Sequence, residues 1–229
     1  MSGRQREAAP TDMWLAILVL GSLFGFSEVV LNGVIRAAGL PYRAAILAGV
    51  GVGLMAVAVA MFRKPLMLVG IAAVAMLGKQ LVVPILHVAL TCKANSCLAV
   101  LLEGLALAGT VTIVGRRLER GLGVRIVGAA SAALVASGAF HYLGIRLAPC
   151  NYLLSFNHPG GLLAFLSTEG VSWAIASALM FPVGYRLGEW LREGALALRA
   201  RQPLAYYATN AMLVVGSWVA SAAAISAGF

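Results

Sequence analysis

Residues 44–62 read AAILAGVGVGLMAVAVAMF, an uninterrupted run without a charged side chain between Arg43 and the basic pair Arg63-Lys64. At about 1.5 Å per residue, a helix of this length is about as long as a bilayer's hydrocarbon core is thick, about 30 Å. The whole chain has a similar character: of 229 residues 61% are hydrophobic and 11% charged, with a mean hydropathy of +0.93. A soluble domain carries about 25% charged residues. The composition therefore excludes an ordinary globular enzyme, a disordered tail and a disulfide-rich secreted module.

Apolar runs separated by basic residues continue on both sides of this stretch and predict an all-α membrane bundle of about seven transmembrane helices. The whole chain, 1–229, is then one integral membrane domain. The predicted spans are 13–34, 44–62, 65–90, 95–115, 123–146, 162–183 and 204–226. Residues 185–202 mix apolar and basic side chains in the pattern of an interfacial amphipathic helix, which would lie on anionic lipid or dock a cytoplasmic partner.

The net charge of +9 follows this topology. Twelve basic residues fall on the side of the N-terminus: Arg4, Arg6, Arg63, Lys64, Arg116, Arg117, Arg120, Arg125, Arg186, Arg192, Arg199 and Arg201. Four fall on the other side: Arg36, Arg43, Lys93 and Arg146. Because cytoplasmic loops hold the excess of Lys and Arg, we predict a cytoplasmic N-terminus and read the charge as a topology signal. We therefore expect no nucleic-acid partner.

Ionisable side chains within the spans concentrate toward the predicted outer side. A charge inside a span costs about 2.5–3.5 kcal/mol on insertion scales, so such residues are candidates for function. Gly21, Gly25, Glu28 and Asn32 recur at helical spacing and are expected to face the bundle interior. We predict one ligand-binding site there, and its members are Glu28, Asn32, Lys79, Gln80, His87, Glu103, His141 and Glu169.

The charges within this predicted site limit its ligand. Three carboxylates oppose one lysine, and a low-dielectric site tolerates the resulting negative excess poorly. An organic cation, a metal ion or protons would balance it, and the metal-ligand candidates are His87, His141 and Glu103. Histidines on two helices would also be able to hold a haem. The alternative is a structural cluster that only holds the bundle together.

All three cysteines, Cys92, Cys97 and Cys150, lie on the predicted outer side. That side is the oxidising one, so a structural disulfide between two of them is expected, with a redox-active pair or metal ligands as the alternatives. The outer segment 147–161 is too apolar for a free loop and is expected to fold over the mouth of the site as a cap.

Several short segments carry a resemblance to a known group. They are Gly21-Ser-Leu-Phe-Gly-Phe-Ser-Glu28, Lys79, Asn95 and Leu101-Leu-Glu-Gly-Leu105. Together they resemble small bacterial membrane proteins that are likened to the substrate-binding S components of energy-coupling-factor transporters. The resemblance covers about the first half of the chain. It implies a compact six-helix protein of the bacterial cytoplasmic membrane that binds vitamins or metals from the outside. It also implies a separate membrane coupling subunit and paired ATPases. The seventh span and the lack of a clear Ala-x-x-x-Ala motif in span one depart from that group.

These observations favour a membrane substrate-capture subunit for a small, cationic solute or a metal. No P-loop, G-x-G-x-x-G, G-x-S-x-G or H-E-x-x-H occurs in the chain, so we expect no nucleotide hydrolysis and favour a protein that is not an enzyme. The rival hypothesis is a redox membrane subunit, a haem- or quinone-linked anchor of a larger complex, in which the polar cluster binds the cofactor or transfers protons.

Overall fold

The computed structural model describes residues 10–119 and 121–228, with the side chains of residues 10 and 92 outside the described part. Every regular element in these ranges is helical. The α-helices are α1 Pro10–Phe26, α2 Asn32–Ala37, α3 Arg43–Phe62, α4 Leu66–Lys79, α5 Val82–Leu86, α6 Ala94–Val114, α7 Leu122–Leu147, α8 Asn151–Leu154, α9 Gly161–Phe165, α10 Val171–Arg201 and α11 Pro203–Ser226. Two π-helical turns, Ser27–Leu31 and Leu166–Gly170, join α1 to α2 and α9 to α10 without interrupting the helical path. Leu90–Lys93 and Gly115–Glu119 are 3₁₀ turns.

Seven helical stretches of the described chain are long and apolar enough to cross a membrane. They are Thr11–Ala37, Arg43–Phe62, Leu66–Leu86, Ala94–Glu119, Leu122–Leu147, Gly161–Arg201 and Pro203–Ser226, called spans one to seven below. The predicted all-α architecture of seven spans is therefore confirmed, and the chain has the architecture of a multi-pass membrane protein. The cytoplasmic position of the N-terminus stays a prediction.

The structure differs from the sequence prediction at two boundaries. Span three ends at Leu86 and not at residue 90, because His87 adopts a left-handed backbone conformation with φ 51° that stops the helix. The sequence predicts a separate amphipathic helix over 185–202. In the structure this segment forms the last part of α10, which runs unbroken to Arg201. The helix continues because its glycines dock closely against span two: a methyl group at Gly184 would overlap the carbonyl group of Gly53.

Spans one and three also approach each other through small residues. A Cβ atom on Gly25 would lie 3.4 Å from the Cα of Gly78, and closer still to the carbonyl oxygen of Ala75. Such contacts between small residues let helix backbones pack tightly within a bilayer. Here they bring the end of α1 beside the end of α4; Glu28 lies three residues after Gly25, and Lys79 directly follows Gly78.

Span seven packs on the outside of the bundle, mainly against α1. Trp218 donates a hydrogen bond from Nε1 to Ser22 Oγ over 2.9 Å and ties the two helices together. Much of the remaining outer surface is apolar, with Ile113 85% exposed and Met212 74% exposed. An apolar surface of this extent is unfavourable in water and suits the hydrocarbon interior of a membrane.

Candidate functional site

A cavity of about 1120 Å³ opens at the end of the bundle opposite to the N-terminus. Its walls come from spans one to six and from the connections at that end, and the C-terminal residues Ile225 and Gly228 close one side. Five of the eight predicted site residues line it: Glu28, Asn32, Lys79, Glu103 and Glu169. We call this space the polar cavity.

Glu28 and Lys79 form a buried ion pair in the wall of the polar cavity. The distance from Lys79 Nζ to Glu28 Oε2 is 2.5 Å, and each side chain is 7% exposed. A buried charge is stable only when it is paired and hydrogen-bonded. The lysine therefore neutralises Glu28 and leaves the other two carboxylates of the cavity to find different partners.

Glu103 has no such partner. It lies in α6, is 5% exposed, and its Oε1 atom has no hydrogen-bond partner among the described residues. A buried polar atom without a partner costs about 1–3 kcal/mol, and more when the group is charged. Glu103 is among the residues that line the polar cavity, so this unpartnered oxygen belongs to the cavity wall.

Glu169 is held by a side chain of segment 147–161, which is called the cap segment below. Tyr152, in α8, donates its hydroxyl proton to Glu169 Oε1 over 2.7 Å. Partial burial, and then the hydrogen bond to the Glu169 carboxylate, raise the pKa of Tyr152 well above its usual range. The phenol therefore stays protonated at physiological pH and remains the donor. Leu153 beside it is fully buried in the core formed by spans five and six, so the cap segment is anchored to the bundle.

Two further polar atoms in the cavity wall also lack partners among the described residues: Asn32 Oδ1 and Trp173 Nε1. With Glu103 Oε1 they make two acceptors and one donor that are buried and without a described partner in residues lining the cavity. Trp173 also supplies an aromatic wall together with Phe140, with ring centroids 5.9 Å apart in a stacked arrangement. The cavity thus combines unsatisfied polar groups with an apolar, aromatic surface, as small-molecule sites do.

Two of the three carboxylates of the polar cavity sit in the two π-helical turns. Glu28 lies in Ser27–Leu31 and Glu169 in Leu166–Gly170. A π-helical turn inserts an extra residue into an α-helix and is frequent at functional sites. In both helices the wider turn lies where a carboxylate lines the polar cavity.

The rim of the polar cavity carries cations that alter the predicted charge balance. Arg36, Arg43 and Lys93 are exposed at the mouth. Arg36 donates to the carbonyl oxygen of Gly228 over 3.1 Å, whereas Arg43 and Lys93 have no carboxylate partner among the described residues. The predicted negative excess counted only Lys79 against the three carboxylates and left out these cations at the mouth of the cavity.

Gln80, His87 and His141 do not line the polar cavity. Gln80 turns toward Cys97, with its Nε2 atom 3.3 Å from Sγ. His87 is exposed, because the left-handed turn that ends α5 carries it away from the bundle. His141 is buried but packs on the Phe165 ring, with centroids 5.3 Å apart. Of the predicted site residues on span three, Lys79 lines the polar cavity, whereas Gln80 and His87 do not.

The described residues contain no group of three His, Cys, Asp or Glu side chains placed to hold a metal ion. The candidate ligands His87, His141 and Glu103 are accordingly not brought together. The two histidines also fail to share the polar cavity, which removes the observation on which the haem hypothesis rested.

The cysteines do not follow the expected pattern. Cys97 is buried, Cys150 is half-buried, and both carry free thiols. The expected disulfide is therefore not formed between these two cysteines. The side chain of Cys92 lies outside the described part.

Sequence reasoning missed several residues of the cavity: Tyr152, Trp173 and the rim cations. Trp173 lies four residues after Glu169 on the same helix, so helical spacing was a signal that would have found it. In the sequence, Tyr152 is distinguished only as part of an apolar loop, and Arg43 and Lys93 only as indicators of topology. Their convergence depends on how the ends of the spans meet at the mouth.

The fold and this cavity define a multi-pass helical membrane protein with a polar cavity open at one end. Comparison with protein-family models, with curated proteins and with solved structures finds no match to the chain.

Proposed function

We propose that this protein is a substrate-capture subunit that binds a small organic cation in the polar cavity. The observation that carries the proposal is Glu103, a buried carboxylate with an unpartnered oxygen, among the described residues, in the cavity wall. Because Lys79 neutralises Glu28 and Tyr152 binds Glu169, Glu103 is the carboxylate left for a ligand. A bound cation would supply both the missing charge and the missing donor.

The surrounding wall supports an organic cation over a metal ion. Trp173 and Phe140 line the cavity, and aromatic faces attract organic ammonium groups through their quadrupole. Asn32 Oδ1 offers a second acceptor for an N–H group. A metal ion would need several more oxygen, nitrogen or sulfur ligands than one carboxylate, and the described residues provide no such group.

The exposed rim cations do not oppose this assignment. Arg43 and Lys93 face water, where salt screens their field over about 8–10 Å. Glu103 lies in the desolvated wall, where screening is weaker. An acidic group at the other end of the same solute would lie near these rim cations. The proposed ligand therefore binds with its cationic end directed toward Glu103.

The proposal includes the topology and the partners that the resemblance implies. The N-terminus would be cytoplasmic, as the basic asymmetry indicates, so that the polar cavity opens to the outside of a bacterial cytoplasmic membrane. Uptake would then require a separate membrane coupling subunit and ATPases, since the chain has no nucleotide-binding motif.

Thermal unfolding in mild detergent tests the proposal with choline, agmatine and spermidine as probe cations and Mg²⁺ and Ni²⁺ as metal probes. We expect at least one organic cation to stabilise the wild type, by about 2.7 kcal/mol at a hundredfold excess over its dissociation constant. Glu103→Gln should abolish this stabilisation and leave the unliganded protein as stable as the wild type or more so. Glu193→Gln, which changes an exposed carboxylate outside the cavity, should retain it.

Three results would overturn the proposal. One is stabilisation by the metal ions and by none of the organic cations. Another is equal loss of stabilisation in Glu103→Gln and Glu193→Gln. The third is an unliganded Glu103→Gln protein that is as destabilised as Lys79→Met, because the cluster would then be structural.

A further inference from the structure

A second cavity lies at the opposite end of the bundle, beside the first turn of α1. It has a volume of about 880 Å³ and is formed by the beginning of span one, the connection between spans two and three, the end of span four and the end of α10. Its lining is strongly basic: Arg63, Lys64, Arg116, Arg192 and Arg199. We call it the basic cleft. It is separate from the polar cavity and has no role in the function proposed above.

The carboxylates of the basic cleft are already paired. Asp12, which is buried at the start of α1, binds Arg199 at the end of α10. Glu119 binds Arg63 over 3.2 Å. Asp12 and Glu119 are the acidic residues among the described residues that line the cleft. No carboxylate of this lining is therefore left for the other cations.

Three cations of the cleft are therefore left over. Lys64, Arg116 and Arg192 have no carboxylate partner within the part of the chain that the structure describes, and they come from three separate segments. Their convergence on one concave surface gives a site with a formal excess of three positive charges. Guanidinium and ammonium groups in this arrangement suit phosphate oxygens, which accept several charge-assisted hydrogen bonds at once.

Apolar residues form the rest of the wall of the basic cleft. Met13, Val59, Phe62 and Val111 line it together with the tyrosine ring of Tyr206. The residues that continue the chain beside the cleft are apolar and outward-facing: Leu66 and Leu204 are each 83% exposed. A phosphate bound in the cleft would thus be surrounded by cations. An apolar, lipid-facing surface would lie next to the cleft.

We propose that the basic cleft binds the headgroup phosphate of an anionic phospholipid from the adjoining leaflet. Basic pockets between membrane helices bind such headgroups, and the exposed apolar residues beside the cleft offer a path for the acyl chains. A free phosphate or a nucleotide would use the cations alone and leave that apolar surface without a role. The cleft joins the ends of spans one, two, four and six, so the bound lipid would bridge them.

Native mass spectrometry of the full chain in detergent tests this proposal, with phosphatidylglycerol and phosphatidylcholine added in separate titrations. We expect one phosphatidylglycerol to be retained tightly and phosphatidylcholine weakly. Each basic residue near a lipid phosphate contributes about fivefold in affinity. The triple variant Lys64→Gln, Arg116→Gln, Arg192→Gln should therefore weaken the retained phosphatidylglycerol by more than tenfold.

A matched control separates the cleft from general surface charge. The variant Arg117→Gln, Arg186→Gln, Arg201→Gln removes three exposed arginines from the same end of the bundle, none of which lines the cleft. It should retain phosphatidylglycerol as the wild type does. Equal weakening in both triple variants would show diffuse attraction and overturn the proposal.

Two further arms test the source of the phosphate. Inorganic phosphate or ATP, added at millimolar concentration, should leave the bound lipid in place; displacement by either would assign the cleft to a soluble anion and overturn the proposal. Equal retention of phosphatidylcholine and phosphatidylglycerol by the wild type would show that the anionic headgroup is not selected, and would also overturn it.

Discussion

The pair of Glu28 and Lys79 gives a quantitative test of how charges are balanced around the polar cavity. Replacing Lys79 by Met keeps a long side chain but removes the cation, and Glu28 then remains in a wall where its side chain is 7% exposed. Removing one partner of a buried ion pair costs about 3–5 kcal/mol, because the other charge stays desolvated and uncompensated. We expect Lys79→Met to lower the free energy of unfolding by this amount.

Unfolding by titration with SDS, followed by circular dichroism, measures this free energy in the membrane-like state. Lys93→Met is the matched control, since it removes an exposed lysine at the same end of the bundle, and it should change the stability by less than about 1 kcal/mol. The double variant Glu28→Gln, Lys79→Met leaves no buried charge at the pair. It should therefore be more stable than Lys79→Met alone, by about 0.5–3 kcal/mol.

A Lys79→Met protein that is no less stable than Lys93→Met would contradict the compensation of buried Glu28 by Lys79. A double variant that is as unstable as Lys79→Met would also contradict it. That result would mean that the loss comes from packing and not from the unpaired Glu28 carboxylate.

Further predictions concern packing, the thiols and topology. Gly184→Ala should lower the stability by about 1–3 kcal/mol, since its methyl group overlaps the Gly53 carbonyl group, as SDS unfolding would measure. In a Cys92→Ser variant, unfolding without reductant should release two thiols per chain to a colorimetric thiol reagent, because the remaining cysteines are free. In a cysteine-free background, an impermeant maleimide added to intact cells should label Tyr42→Cys at the cavity end but leave Arg117→Cys unlabelled until lysis.

Each of these predictions has its own control or contrary result. Gly109→Ala is the control for packing: no described atom of a neighbouring element lies within 4 Å of the position that its methyl group would take, so alanine there should be neutral or stabilising by about 0.5–1 kcal/mol. Fewer than two thiols in the Cys92→Ser variant would contradict the free state of Cys97 and Cys150. Labelling of Arg117→Cys in intact cells, with Tyr42→Cys protected, would reverse the topology.

The sequence was sufficient to predict the seven spans and most of their boundaries. An apolar run such as 44–62, between Arg43 and Arg63, fixes the ends of a transmembrane helix. The thickness of the bilayer's hydrocarbon core sets the length of the helix, and charged side chains are excluded from that core. Helical spacing also placed Gly25, Glu28 and Asn32 on one inward face. These are properties of a single helix, which composition and periodicity determine without knowledge of its neighbours.

Boundaries that depend on a backbone torsion or on docking were missed. Span three ends early because His87 takes a left-handed conformation, which a hydropathy pattern does not record. The basic stretch after residue 184 continues α10, because Gly184 and Gly188 dock on span two; its charges alone favoured a separate interfacial helix.

The sequence by itself determined which side chains are costly in a membrane, and so it named Glu28, Lys79, Glu103 and Glu169 as residues that need partners. Only the tertiary structure decided the partners. Lys79 meets Glu28 across 51 positions of sequence, Tyr152 reaches Glu169 from the cap segment, and Glu103 is left with an oxygen that no described residue partners. The physical reason is that periodicity fixes the direction of a side chain on its own helix, whereas the rotation and docking of each helix against the others decide which charges meet.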